Sequence, residues 1–140
     1  EYPWQTEAFS GAVWTGNGWS LRISFEDSAN CGGPNPNTQF GTASRRVCLC
    51  VPMRLTVNMV GLVERQDAGY EQAEARVNGV PVAAGGSVGE GLGCAMAAVS
   101  AGGLIDLPPG EHVIELFSST IDPQYHVGAY WEFNLTLEPL

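Results

Sequence analysis

The sequence predicts an all-β domain in which two antiparallel sheets pack face to face as a β-sandwich. Two long stretches alternate apolar and polar residues with a period of two. In the first, Val127, Ala129, Trp131, Phe133, Leu135 and Leu137 take one face, and Gly128, Tyr130, Glu132, Asn134, Thr136 and Glu138 take the other. In the second, Met53, Leu55, Val57, Met59, Gly61 and Val63 oppose Arg54, Thr56, Asn58, Val60, Leu62 and Glu64. A helix repeating every 3.6 residues cannot keep such a face, whereas a half-buried strand requires one. The remaining chain breaks into short apolar runs separated by Gly, Pro and Asn, the punctuation of eight or nine strands.

Taken in order, the first strand after the N-terminal segment sets Leu21, Ile23 and Phe25 inward against Arg22, Ser24 and Glu26, with Asn17-Gly18 as the turn before it. Residues 26 to 42 read as one long loop. RVCLCV at 46 to 51 reads as a strand, and Pro52, which cannot donate to a ladder, separates it from the long run starting at Met53. Asn78-Gly79, between EQAEARV and VPVAA, suits the positive φ angles of a type I′ hairpin. CAMAAVSA at 94 to 101 is helix-friendly in composition but too short for a lone helix and bracketed by glycines, so it reads as a strand. PPG at 108 to 110 turns into EHVIELFSS, where His112, Ile114 and Leu116 oppose Val113, Glu115 and Phe117, and Asp122-Pro123 breaks the chain before the last strand.

The string LIDLPPGEHVIELFSS followed by VGAYWEFNLTLEPL, residues 104 to 140, resembles the closing strands of jelly-roll domains of the tumour-necrosis-factor and C1q type, found also in surface fibres. The resemblance implies a jelly roll used for assembly and ligand display. It transfers no functional residue.

At 140 residues the chain has the size of one domain, and no linker, repeat or heptad divides it. Charged residues make up 15%, below the ~25% of an average soluble domain. All six basic residues are Arg and the net charge is -9, which repels a phosphate backbone and an anionic membrane surface. Nucleic acid is therefore not an expected partner, and with no apolar run of ~18 residues, neither is membrane insertion. Beginning at Glu1 without an initiator Met, the chain is expected to be a mature, exported form, extracellular or on a cell or virion surface.

Cys31, Cys48, Cys50 and Cys94 lack the C-x-x-C spacing of metal or redox sites, so two disulfides are expected. Cys48 and Cys50, two apart in a strand, point to one face and are poorly placed to bond each other. The pairings left open are 31 with 48 plus 50 with 94, and 31 with 50 plus 48 with 94. Four buried free thiols are the alternative.

Gly85-Gly86-Ser87-Val88-Gly89 matches G-x-S-x-G, and His112 and His126 offer bases, but a nucleophile elbow needs a strand before it and a helix after it. A flexible loop is the expectation instead. Glu26, Asp27, Asn30, Asn35 and Asn37 supply oxygen ligands of the kind Ca²⁺ takes, without the spacing of a known loop and in the ordinary chemistry of turns. Paired carboxylates on a concave sheet leave no sequence signature. No enzyme, cofactor or metal is expected on these grounds.

Two features point to a binding or assembly role. The aromatic segment EYPWQTEAFSGAVW at 1 to 14 carries Tyr2, Trp4, Phe9 and Val13, and reads either as an arm that adds a strand to a neighbour's sheet or as the first strand of its own. A head-to-tail contact of the first kind builds filaments. Tyr2, Trp4, Trp14, Trp19, Tyr70, Tyr125 and Tyr130 lie at strand ends, in loops or on outward faces, and Tyr130 with Glu132 and Asn134 would form a platform on which a sugar stacks, unless these rings only cover the core. Asn134-Leu135-Thr136 is also a glycosylation sequon. The leading expectation is thus a self-assembling extracellular subunit with itself as partner, and the alternative is a carbohydrate-binding or adhesive module.

Overall fold

A computed structural model describes residues 3–25, 38–64, 71–87, 96–120 and 129–140, and contains ten strands among them. They are β1 (Gln5–Phe9), β2 (Val13–Asn17), β3 (Ser20–Ser24), β4 (Gln39–Leu49), β5 (Met53–Glu64), β6 (Glu71–Val77), β7 (Val80–Gly86), β8 (Met96–Leu107), β9 (Gly110–Thr120) and β10 (Tyr130–Pro139). One sheet has the order β1-β4-β9-β6-β7 and the other β2-β3-β10-β5-β8, with every pairing antiparallel. Without β1 and β2, the order 4-9-6-7 facing 3-10-5-8 is that of an eight-stranded jelly roll. The first two strands extend one edge of each sheet, and Ser10 and Gly11, both at positive φ, carry the chain between them.

The core follows the alternation of the long strands. Leu55, Val57, Met59 and Val63 of β5 and Trp131, Phe133 and Leu135 of β10 are buried, facing Ile114 and Leu116 of β9 and Ala73, Ala75 and Val77 of β6. Trp131 is wholly enclosed and sits where glycines leave room for it. A Cβ on Gly61, its cross-strand partner in β5, would lie 2.7 Å from the indole, and one on Gly85 in β7 of the facing sheet would lie 2.8 Å from the ring's far edge. At the edge nearby the two sheets nearly touch: a side chain on Gly103 of β8 would collide with the Val82 carbonyl of β7.

Two expectations about the strands need correction. Residues 39 to 42, read as loop, begin the eleven-residue strand β4, whose inward side chains alternate from Gln39 through Ala43 and Arg45 to Val47 and Leu49. The alternation was masked because its inward residues are polar or small. Gly85 and Gly86, read as loop, end β7.

The Asn78-Gly79 turn forms as expected, at φ 51 and 80. The Asn78 side chain ties it to β9. Its Oδ1 accepts from Val113 N at 2.9 Å and its Nδ2 donates to His112 Nδ1 at 2.9 Å, which leaves His112 Nε2 to donate to Pro108 O at 2.8 Å. His112 therefore joins the β6–β7 turn to the turn before β9 as a structural group.

Candidate functional site

The outer face of the β1-β4-β9-β6-β7 sheet is ordered in rows by its pairing register. One row runs Glu7, Thr42, Phe117, Glu74, Ala84, from β1 to β7. The next runs Gln5, Ser44, Glu115, Arg76, Pro81, and on the other side lies the row Phe9, Phe40, Ser119, Gln72, Gly86. Outward side chains of strands remote in sequence thereby meet on one surface. A β-bulge between Ala75 and Arg76 bends β6 within it.

This face holds a groove of about 690 Å³ lined by Gln5, Glu7, Thr42, Ser44, Gln72, Glu74, Arg76, Glu115 and Phe117. Phe117 lies on the central strand and stays 36% exposed, a large apolar ring among hydroxyls, amides and carboxylates. The Phe9 and Phe40 rings stack at 4.6 Å in the adjoining row. Arg76 Nη2 donates to Glu74 Oε2 at 3.0 Å, and that bond, with the further field of Glu115, pushes the guanidinium still above its ordinary pKa. The polar groups suit hydrogen bonds to hydroxyls, and the ring suits the apolar face of a sugar.

The residues singled out in the sequence lie elsewhere. Tyr130 and Glu132 are on the outer face of the other sheet, where the Arg22 guanidinium lies 4.0 Å over the Tyr130 ring and 3.6 Å from Glu132 Oε2. One face of the expected sugar platform is thus covered by Arg22. Asn134, in the same strand, accepts from Ser20 Oγ at 2.8 Å through its Oδ1.

Residues 5 to 9 of the aromatic segment pair in cis with β4, and 13 to 17 pair with β3. Its tryptophans anchor it there. Trp4 Nε1 donates to Gly18 O at 2.6 Å, and Trp4 meets Trp19 edge to face at 6.4 Å. The buried Arg45 guanidinium lies 4.1 Å over Trp19 and 5.9 Å from the Trp4 ring. Trp14 Nε1 donates to Glu7 O at 3.1 Å, and its ring leans on Phe133 at 5.9 Å. Trp4, Trp14 and Trp19 therefore pack against the core, while Phe9 and Val13 remain exposed. Tyr2 lies outside the described residues.

Cys48 and Cys50 are free and exposed, which departs both from the disulfides expected through these two and from the buried-thiol alternative. Their expected partners Cys31 and Cys94 lie outside the described residues, as do Tyr70, Tyr125, His126 and the oxygen-rich stretch 26–37. Ser87 of the G-x-S-x-G match is buried. Its Oγ accepts from Glu71 N at 3.2 Å and its N–H donates to Glu71 O at 2.9 Å, while Thr120 Oγ1 donates to the buried Glu71 carboxylate at 3.3 Å. The serine thus ties β6 to the end of β7. Among the described residues no three His, Cys, Asp or Glu side chains converge as a metal site, and no helix is long and apolar enough to cross a membrane.

None of the groove residues stood out in the sequence. The one local signal was Phe117, a phenylalanine at an outward position of an otherwise regular alternation.

No family model matches the chain, and neither does any curated protein. Among solved structures it is similar to a family 35 carbohydrate binding module from Clostridium thermocellum, with 16% identity, a TM-score of 0.40, and coverage of 93% of this chain and 90% of that one. It is also similar to part of an exo-β-1,3-galactanase from Phanerochaete chrysosporium, crystallised as its E208Q variant with β-1,3-galactotriose, at 15% identity and a TM-score of 0.36. There the match covers 97% of this chain but spans only 27% of the galactanase.

Proposed function

We propose that the chain is a non-catalytic carbohydrate-binding module working outside the cell, and that its binding site is the groove across the β1-β4-β9-β6-β7 sheet. The observation that supports this reading is Phe117, an exposed ring at the centre of a 690 Å³ groove and surrounded by Thr42, Ser44, Gln5, Gln72 and three glutamates. A pyranose offers an apolar face to such a ring and equatorial hydroxyls to the side chains beside it. Hydroxyls that exchange water for amide and carboxylate partners gain little net affinity, so the ring supplies much of the binding energy.

Affinity electrophoresis in native gels containing soluble polysaccharides tests the reading. A phenylalanine side chain spans ~200 Å², so an exposed share of 36% leaves roughly 70 Å² to be covered. At ~25 cal/mol per Å² that is about 1.8 kcal/mol, or roughly a 20-fold loss of affinity for Phe117→Ala. Retardation of the native chain by a polysaccharide, weakened by that amount in the variant, is the expected result. A chain retarded by none of them, or a variant retarded as strongly as the native chain, refutes the proposal.

A further inference from the structure

We infer that the groove holds an internal run of a linear, uncharged polysaccharide laid across the strands, in preference to a chain end or a single sugar. This rests on the carbohydrate reading above and specifies the ligand of the same site. Two hollows of about 380 Å³ each adjoin the central groove on the same face. One reaches Pro3 and Val113 and shares Gln5 and Ser44 with the groove; the other reaches Ala84 and Gly86 and shares Gln72, Glu74 and Phe117. Shared lining residues make the three hollows neighbours on one continuous face.

From β1 to β7 there are four interstrand steps of ~4.8 Å, so the path is about 19 Å long, longer than any one sugar ring. It ends at β7 on Ala84 and Gly86, residues too small to stop a chain from leaving. A site specific for a terminal residue needs a closed end, and the β7 margin of this groove offers none.

Charge selects among polymers. Glu7, Glu74 and Glu115 face the groove against Arg76, whose guanidinium Glu74 already holds. Arg46, at the Pro3 margin, is held by Glu111 at 2.6 Å. A chain bearing carboxylates or sulfates would bring like charge onto these glutamates, which disfavours binding. A neutral chain meets only hydrogen-bonding partners and the Phe117 ring.

Calorimetric titration decides the matter, using oligomers of one to six sugars cut from the neutral polysaccharide that retards the protein most, the same oligomers reduced at their end sugar, and polygalacturonate. Affinity is expected to rise about tenfold or more between two and five sugars, to survive end reduction, and to be absent for polygalacturonate. Ala84→Trp, which raises a wall at the β7 margin, should remove the gain of the longer oligomers. Saturation at one or two sugars, dependence on an unreduced end, or preference for polygalacturonate overturns the inference while leaving carbohydrate binding intact. A chain that binds no glycan in the electrophoresis removes both.

Discussion

Replacing Gly61 by alanine tests the packing that holds the two sheets together. The new methyl carbon would stand 2.7 Å from Cδ2 and Cε2 of Trp131 and 2.9 Å from Cε3, against ordinary contact at 3.4 Å or more. The indole has no room to retreat, because its opposite edge rests on Gly85 of the facing sheet, where a Cβ would sit at 2.8 Å. Overpacking of this kind costs ~1–3 kcal/mol, and exchanging glycine for alanine within a strand returns ~0.5–1 kcal/mol. The net loss is about 1–2 kcal/mol, which for a chain of this size lowers Tm by roughly 3–8 °C.

Thermal unfolding followed by circular dichroism measures it, and the companion Trp131→Phe variant isolates the cause. If the clash is with the indole, the double variant should melt above the temperature expected from adding the two single losses, since the smaller ring gives the methyl its space. A Gly61→Ala chain that melts at or above the native temperature, or losses that simply add, would show that Trp131 is not clamped between the two glycines.

Further expectations rest on separate parts of the structure. Asn78→Ala removes the side-chain bonds to Val113 and His112 and places alanine at φ 51, so it should cost about 2 kcal/mol in urea unfolding. Asp106 is held below its ordinary pKa of 3.8 by its hydrogen bond to the Arg54 guanidinium. A lowered carboxyl contributes stability above its unfolded value and loses it as pH falls through the folded one, so Asp106→Asn should melt slightly below the native chain at pH 7 and level with it at strongly acidic pH. Cys48 and Cys50 should both take up iodoacetamide in the folded, unreduced protein, and mass spectrometry finding either protected would contradict their free, exposed state.

The parts of the fold legible in the sequence were those where large apolar residues fill most inward positions. β5 and β10 satisfy this, with Val57 and Met59 in register across from Leu135 and Phe133, and Gly61 yielding its place to Trp131. β4 does not, because Arg45 is buried beneath Trp19, Gln39 is buried as well, and Gly41 is kept small by Ile23 and Trp14, whose atoms a Cβ there would meet at 2.6 and 2.7 Å. Its period of two exists in space and is hidden in residue type. The groove was hidden for another reason. Glu7, Thr42, Glu74 and Phe117 each occupy an unremarkable outward position, and only the jelly-roll order, which sets β9 between β4 and β6, makes them neighbours. The Tyr130 platform looked better in sequence because its members share one strand, and it loses an open ring face to Arg22 on β3, a neighbour the alternation of β10 does not reveal.

The N-terminal segment links the two readings that the sequence had set apart. Strand exchange would move β1 onto a neighbour, yet β1 carries Gln5 and Glu7, which form one wall of the groove, and its backbone accepts the Trp14 indole through Glu7 O. An arm withdrawn from its own sheet would therefore open the groove and release Trp4 from Gly18 O and from the Arg45 guanidinium together. Under the binding reading, a chain lacking residues 1–9 should bind polysaccharide more weakly and melt lower than the full chain, because both the wall and its anchor are gone. Under the assembly reading the same truncation should leave stability and glycan affinity unchanged and abolish only higher oligomers in sedimentation. Both indole bonds, Trp4 to Gly18 O and Trp14 to Glu7 O, are lost with residues 1–9, so the melting temperature reads the anchor and the titration reads the wall.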